Sequence, residues 1–115
     1  LIDTGEMRAL GGHPGGGAWP VKLAEGGEVP LRSRALATSA PLGTVFDKAG
    51  RMGHILLPST GEPAVPVWQA VSVSARSAAL ADGLSTAACL IASRERIETV
   101  VAGFDGTRCE AAVAA

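Results

Sequence analysis

One segment of the chain, residues 77–92, has the residue spacing of an amphipathic helix, and it limits the folds that are available. Apolar side chains recur in it three and four positions apart, which places them on one helical face. They are Leu80, Leu84, Ala87, Ala88 and Ile91. Ser77 stands where an N-cap residue is expected. Before this segment, turns rich in glycine and proline divide the sequence into short apolar runs. This order of strands before helix is typical of an α+β fold.

The short apolar runs before the helix predict β-strands. They lie at residues 1–10, with a turn at Thr4 and Gly5, and at 19–23, 29–31, 34–39, 54–58 and 67–75. A polar linker is expected at 46–53. After the main helix, Ser93 predicts the start of a second, shorter helix, and residues 107–113 predict a last edge strand. We therefore expect a mixed or antiparallel sheet packed with one main helix and a shorter one.

Length and charge exclude several classes of protein. The 115 residues suit one domain of modest size, and 47% apolar with 18% charged residues is a globular composition. The formal net charge is −1 and the sequence contains no run of Lys or Arg, which argues against a nucleic-acid partner. Two cysteines, Cys89 and Cys109, are too few and too far apart to indicate a metal clamp. Cys89 is expected to be a small buried side chain.

Asp82 and Thr86 are the first candidates for chemistry. They are four residues apart in the predicted helix, so both side chains project from the same face. One carboxylate and one hydroxyl provide oxygen ligands of the kind that Mg²⁺ accepts beside waters and phosphate oxygens. A simpler explanation is also open. Asp82 lies near the positive end of the helix dipole, and Thr86 can hydrogen-bond to a backbone carbonyl.

Three other positions are weaker candidates on their own. His54 precedes a short apolar run that ends in a turn containing Thr60 and Gly61, a setting for a general base or a phosphate contact. A hydrogen-bonded structural histidine explains His54 as simply. Thr38 and Ser39 place two hydroxyls at the end of a predicted strand, where a nucleotide could meet them, although such residues also form turns.

Taken together and in order, these pieces resemble the ApbE-type FAD:protein FMN transferases. That family has a Gly-Gly-acidic turn, a strand with Trp, a Thr-Ser-Gly strand end, a His-Ile-x-Asp-Pro-x-Thr-Gly motif and an Ala-Asp-Ala-x-x-Thr helix. The counterparts here are Thr4-Gly5-Glu6, Trp19, Thr38-Ser39-Ala40, residues 54–61 and residues 81–86. The resemblance extends over nearly all of the chain but covers well under half of a typical member. It implies that residues 1–115 are the C-terminal part of an ApbE-like (T-fold-like) domain that lacks its N-terminal half.

The resemblance also implies a reaction: Mg²⁺-dependent transfer of FMN from FAD to a threonine hydroxyl of a target redox protein, with release of AMP. Asp82 and Thr86 would bind the magnesium, and His54 would be the catalytic base. Thr38, Ser39, Thr60 and Gly61 would contact FAD. Members of the family usually work outside the cytoplasm, in the periplasm or anchored to a membrane, and the same location is expected by analogy.

The chain departs from the family pattern at three positions, and one of them, Leu57, favours an alternative. Leu57 replaces the Asp that precedes the proline, Ala40 replaces a glycine, and Thr4 replaces the first glycine of the pair. The alternative is a non-catalytic binding or scaffold remnant of the same fold. On either interpretation, we expect the chain to be inactive alone, and either to be marginally stable or to self-associate through a face that a missing half would cover.

Overall fold

The computed structural model describes residues 1–43, 48–50 and 52–115, and in them five strands form one antiparallel sheet. The strands are β1 (Ile2–Asp3), β2 (Met7–Arg8), β5 (Ala35–Ser39), β6 (Trp68–Ala75) and β7 (Arg108–Ala114), in the order β1-β2-β5-β6-β7. All four pairings are antiparallel. The linker predicted at 46–53 lies partly outside the described residues. The predicted α+β class is confirmed, with the sheet antiparallel.

The second sheet is a hairpin of β3 (Trp19–Lys22) and β4 (Glu28–Leu31). Val21 and Val29 stand opposite each other in it, and both are buried. They pack with Leu31, Leu36 and Ala9 in one apolar cluster. The hairpin thus contributes a second small core beside the five-stranded sheet.

The strand β6, which lies between β5 and β7, is buried along nearly its whole length, on both faces of the sheet. Val71 and Val73 pack into the main core, as the sequence alternation predicts. Ser72 and Ser74 are also buried, because each finds a polar partner. Ser74 accepts a hydrogen bond from Arg34 and donates one to Glu110. The alternation therefore marks two buried faces, one apolar and one polar.

The main helix, α1 (Ala78–Ala88), begins as predicted, since the Ser77 hydroxyl accepts a hydrogen bond from the Leu80 amide. It ends at Ala88, four residues before the predicted end. The predicted apolar face is partly confirmed: Leu80 and Leu84 pack against the cores and Ala88 is buried, but Ala87 is exposed. The buried side chains of the helix are Ala81, Ser85 and Ala88. These small side chains let the helix axis come close to β5 and β6.

The second helix, α2 (Arg94–Ala102), is capped by Ser93 as predicted. Its buried residues, Ile97 and Val101, join the core formed by β6 and the end of α1. β7 follows it as the predicted edge strand. No helix in the described part of the chain is both long enough and apolar enough to cross a membrane.

The run predicted as a strand at 54–58 forms only an isolated bridge between Leu56 and Pro63. The Leu57 amide donates to the Glu62 carbonyl and the Ala64 amide to the Ile55 carbonyl, so the segment is a small, irregular hairpin. Ile55 is buried in the main core and anchors it. A longer strand is not formed, because Pro58, Pro63 and Pro66 interrupt the ladder on both sides.

Candidate functional site

Asp82 and Thr86 are both exposed, and they lie on the side of α1 that borders the face packed on the sheet. Ala81 and Ser85 are buried against the sheet, and the next residue after each of them lies about 100° further round the helix, at the edge of the packed face. The carboxylate and the hydroxyl are four residues apart and share one helical face, as the sequence predicts. The structure thus presents two oxygen side chains together at the surface.

A group of three hydroxyls connects this helix to the end of β5. The Ser39 oxygen lies 2.7 Å from that of Ser85 and 3.0 Å from that of Thr86. Ser39 and Ser85 are both buried. Two candidate positions that are 47 residues apart in sequence, the strand-end Ser39 and the helical Thr86, are therefore in direct contact.

Thr38, the neighbour of Ser39, points to the other face of the sheet, because side chains alternate along a strand. Its hydroxyl lies 2.7 Å from that of Ser72. On that face Thr38 lines a pocket of about 230 Å³ together with Gly5, Lys22 and Glu25. The two strand-end hydroxyls named as candidates for a nucleotide contact thus lie on opposite faces of β5.

His54 is positioned by a close backbone contact beside it. A Cβ atom placed on Gly53 would overlap the carbonyl oxygen of Pro41, so the residue before His54 packs directly on the chain that leaves β5. Pro41 is two residues after Ser39. The exposed His54 is therefore held near the strand end that carries the hydroxyl group contacting α1.

Thr60 and Gly61 lie at the exposed tip of the small hairpin. Gly61 has φ +72°, a conformation that favours glycine, and its amide donates to the Leu57 carbonyl. The Thr60 hydroxyl accepts from the Glu62 amide at 3.2 Å. In the described residues, the hydrogen bonds of Thr60 and Gly61 stay within the hairpin, and none of them joins these residues to Asp82 or Thr86.

Sequence reasoning missed Ser85, whereas the predicted burial of Cys89 is confirmed. The Ser85 hydroxyl donates to the Asp82 carbonyl at 3.0 Å, and the Cys89 thiol lies 3.3 Å from the Ser85 carbonyl. Burial raises the pKa of Cys89 to about 11, so the thiol is protonated and unreactive near neutral pH. The signal that could have found Ser85 is the spacing of the small residues Ala81, Ser85 and Ala88 along one helical face.

The oxygen atoms of Asp82 and Thr86 suit a magnesium ion whose other ligands are waters and substrate phosphates. In the described part of the chain, no three His, Cys, Asp or Glu side chains cluster as a metal site. Asp82 and Thr86 supply two oxygen atoms. Mg²⁺ is commonly held by one or two carboxylates, with waters and substrate phosphates among its other ligands, so Asp82 supplies the carboxylate and Thr86 a further oxygen. The residues present fit such a partly open site and do not fit a closed structural one.

The model of the ApbE family matches residues 1–109. The chain belongs to the ApbE family. The resemblance drawn from the five motifs is thereby confirmed, and the family consists of FAD:protein FMN transferases. No curated protein matches the chain.

A solved ApbE structure has the same fold over most of this chain. The apo crystal structure of the flavinyl transferase ApbE from Pseudomonas stutzeri is 31% identical in sequence, with a TM-score of 0.65. The match covers 86% of this chain and 33% of that one. This ApbE-family chain therefore spans about a third of the length of its solved relative, and its two helices and antiparallel sheets match that part.

Proposed function

We propose that this chain carries the magnesium-binding and base-bearing part of an enzyme that transfers FMN from FAD to a threonine hydroxyl of a target protein and releases AMP. Family membership supports the reaction class. The observation that carries the proposal is the 3.0 Å contact between Ser39 and Thr86, which joins the Thr-Ser strand end to the helix with Asp82.

Each residue has a distinct task in this proposal. Asp82 and Thr86 hold Mg²⁺ through their oxygen atoms. When bound, the ion neutralises the FAD pyrophosphate and stabilises the charge that develops on the departing AMP. His54 accepts the proton of the acceptor threonine as its oxygen bonds to the FMN-side phosphorus and the bond to AMP breaks. Thr38, Ser39, Thr60 and Gly61 remain our candidates for shaping the FAD site.

The proposal extends to the part of the enzyme that lies outside this sequence. Since the chain spans about a third of its solved relative, we propose that residues 1–115 act as a C-terminal part and that an N-terminal half supplies much of the FAD pocket. FAD and a redox protein with an acceptor threonine are the proposed partners. Self-association through a face that such a half would cover is a further proposal. The proposed location, outside the cytoplasm, follows the family alone.

One residue favours the second candidate function, a non-catalytic domain that binds without transferring flavin. Leu57 is a half-buried apolar side chain where the family motif has a carboxylate. The absence of this carboxylate removes one negative charge that the family motif places near the site. Retention of Asp82, Thr86 and His54 favours the enzyme, because a domain with no metal chemistry gains nothing from oxygen ligands at this spacing.

The deciding experiment is calorimetric titration of FAD with and without Mg²⁺, on residues 1–115 and on the full product of the gene. We compare the unmodified protein with Asp82→Ala and with the control Asp105→Ala, which removes an exposed carboxylate after α2. Magnesium-dependent binding lost only in Asp82→Ala supports the proposal. Magnesium-independent binding that both variants retain supports the non-catalytic candidate.

A further inference from the structure

The three hydroxyls between β5 and α1 end on a backbone carbonyl, and this end point determines how their protons are arranged. The Ser85 hydroxyl lies 3.0 Å from the Asp82 carbonyl oxygen, which can only accept a hydrogen bond. Ser85 has a single hydroxyl proton, so that proton is used on the carbonyl. In its contact with Ser39, Ser85 must then be the acceptor.

The same count fixes the remaining two protons. Because Ser85 accepts, Ser39 donates across the 2.7 Å contact between them. The single proton of Ser39 is then used as well, and Ser39 must accept across the 3.0 Å contact with Thr86. The chain of donors runs from Thr86 to Ser39, to Ser85 and to the Asp82 carbonyl. Any other order places two lone pairs against each other at hydrogen-bond distance.

This direction has a consequence for the oxygen of Thr86. Its proton points inward to a buried serine, and both of its lone pairs remain outside the hydrogen-bonded chain. A cation requires a lone pair, and a hydroxyl whose proton points outward would repel it. We infer that Ser39 is a positioning residue that holds the Thr86 hydroxyl with its proton inward, so that its oxygen faces the cation site shared with Asp82. The inference rests on the proposed magnesium function.

The usual alternative for a helical threonine is blocked here. Such a hydroxyl commonly donates to the carbonyl four residues earlier, and this competes with other roles of its oxygen. For Thr86 that carbonyl belongs to Asp82, and its two lone pairs already accept from the Ser85 hydroxyl and from the Thr86 amide of the helix. Ser85 and Ser39 together therefore leave Thr86 one satisfied orientation. Without Ser39, the Thr86 side chain can adopt more than one χ1 rotamer.

The first test measures the Thr86 rotamer directly and needs no metal. Three-bond NMR couplings from the Thr86 methyl carbon to the backbone report χ1. We expect a single rotamer in the unmodified protein and averaging in Ser39→Ala. Ser72→Ala is the matched control, because it removes a buried hydroxyl with a 2.7 Å hydroxyl contact on the opposite face. An unchanged rotamer in Ser39→Ala, or equal averaging in Ser72→Ala, would overturn the inference.

A second NMR measurement uses the unmodified protein and so tests the inference even if Ser39→Ala does not fold. In the unmodified protein, the Thr86 hydroxyl proton is expected to exchange slowly and to show a nuclear Overhauser effect to the Ser39 β-protons. A Ser39 hydroxyl proton directed at Thr86 reverses the proposed order and overturns the inference.

The third measurement links the orientation to the metal. Manganese binding in the presence of FAD is followed by electron paramagnetic resonance, in the full product of the gene, for Asp82→Ala and Ser39→Ala. We expect Asp82→Ala to abolish binding and Ser39→Ala to weaken it about 10- to 100-fold, as for other groups that orient a metal ligand. If Asp82→Ala binds normally, the magnesium proposal fails, and the rotamer result still decides the positioning. If Ser39→Ala binds manganese normally while Asp82→Ala does not, Ser39 does not position Thr86 for the metal.

Discussion

Gly53 packs so closely on Pro41 that a Cβ atom on the glycine would overlap the Pro41 carbonyl oxygen. We predict that Gly53→Ala lowers the free energy of unfolding by about 1–3 kcal/mol, the usual cost of forcing extra volume into a packed site. Because His54 follows directly, flavin transfer by the full enzyme should fall as well. Chemical denaturation and a flavin-transfer assay measure the two effects.

The control for this prediction is Gly83→Ala. Gly83 lies inside α1, and open space surrounds the position of a Cβ atom. Alanine is a better helix former than glycine, so the free energy of unfolding of this variant should rise by about 0.5–1 kcal/mol. Similar losses of stability in both variants would show that the close approach to Pro41 is not the cause.

His54→Ala should abolish flavin transfer while FAD binding persists. Removal of a general base usually costs a factor of about 10² to 10⁴ in rate. The other histidine, His13, lies in the glycine loop, where its ring stacks edge-on with Trp19, and His13→Ala is the control. Both are assayed in the full product of the gene, by flavin fluorescence on the target protein. Transfer retained in His54→Ala would reject its role as the base.

Stability should fall in alkaline solution because of Cys89. Burial raises the pKa of its thiol from 9.0 to about 11, so the folded state favours the protonated form. This contribution is fully present below pH 9 and is lost as the pH rises toward 11. Two pKa units correspond to at most about 3 kcal/mol. Urea unfolding from pH 7 to 11 should show a steeper decline in the unmodified protein than in Cys89→Ala. If the free energy of unfolding falls equally with pH in both proteins, the prediction is contradicted.

Trp68→Phe should destabilise the fold by about 1–3 kcal/mol. The indole nitrogen of Trp68 donates to the Ile91 carbonyl at 2.7 Å, which ties the start of β6 to the chain after α1. Phenylalanine leaves that carbonyl without its partner. Trp19→Phe is the comparison, since the half-buried Trp19 ring stacks with His13 and packs against the apolar cluster of the hairpin. Equal losses in urea unfolding would assign the effect to ring size and not to the hydrogen bond.

The helix starts and most strand positions could be predicted from local signals. Ser77 and Ser93 were identified as caps because a cap depends on a few neighbouring residues, and both cap as expected. The glycine and proline turns placed most strand limits within a few residues. The strand predicted at 54–58 failed, since proline on both sides leaves the backbone few ladder partners.

The candidate site could be predicted only in part from the sequence, because its assembly depends on contacts between segments that are distant in sequence. Helical spacing alone placed Asp82 and Thr86 on one face. The 2.7 Å contact of Ser39 with Ser85 depends on how closely α1 approaches the sheet, and buried serines look like surface residues in a sequence. Thr38 and Ser39 lie on opposite faces of β5 because side chains alternate along a strand. The two residues were treated as one motif, and this rule was not applied to them.

The position of β6 as an interior strand of the sheet has a consequence for how the protein fluctuates. β5 pairs with it on one side and β7 on the other, so its amides are expected to exchange with solvent only in rare, large openings. The two-residue strands β1 and β2 lie at the far edge and can fray without disturbing β5 and β6. Edge fluctuations therefore leave the contact between Ser39 and Thr86 intact, and the proposed cation site stays assembled until the sheet itself opens.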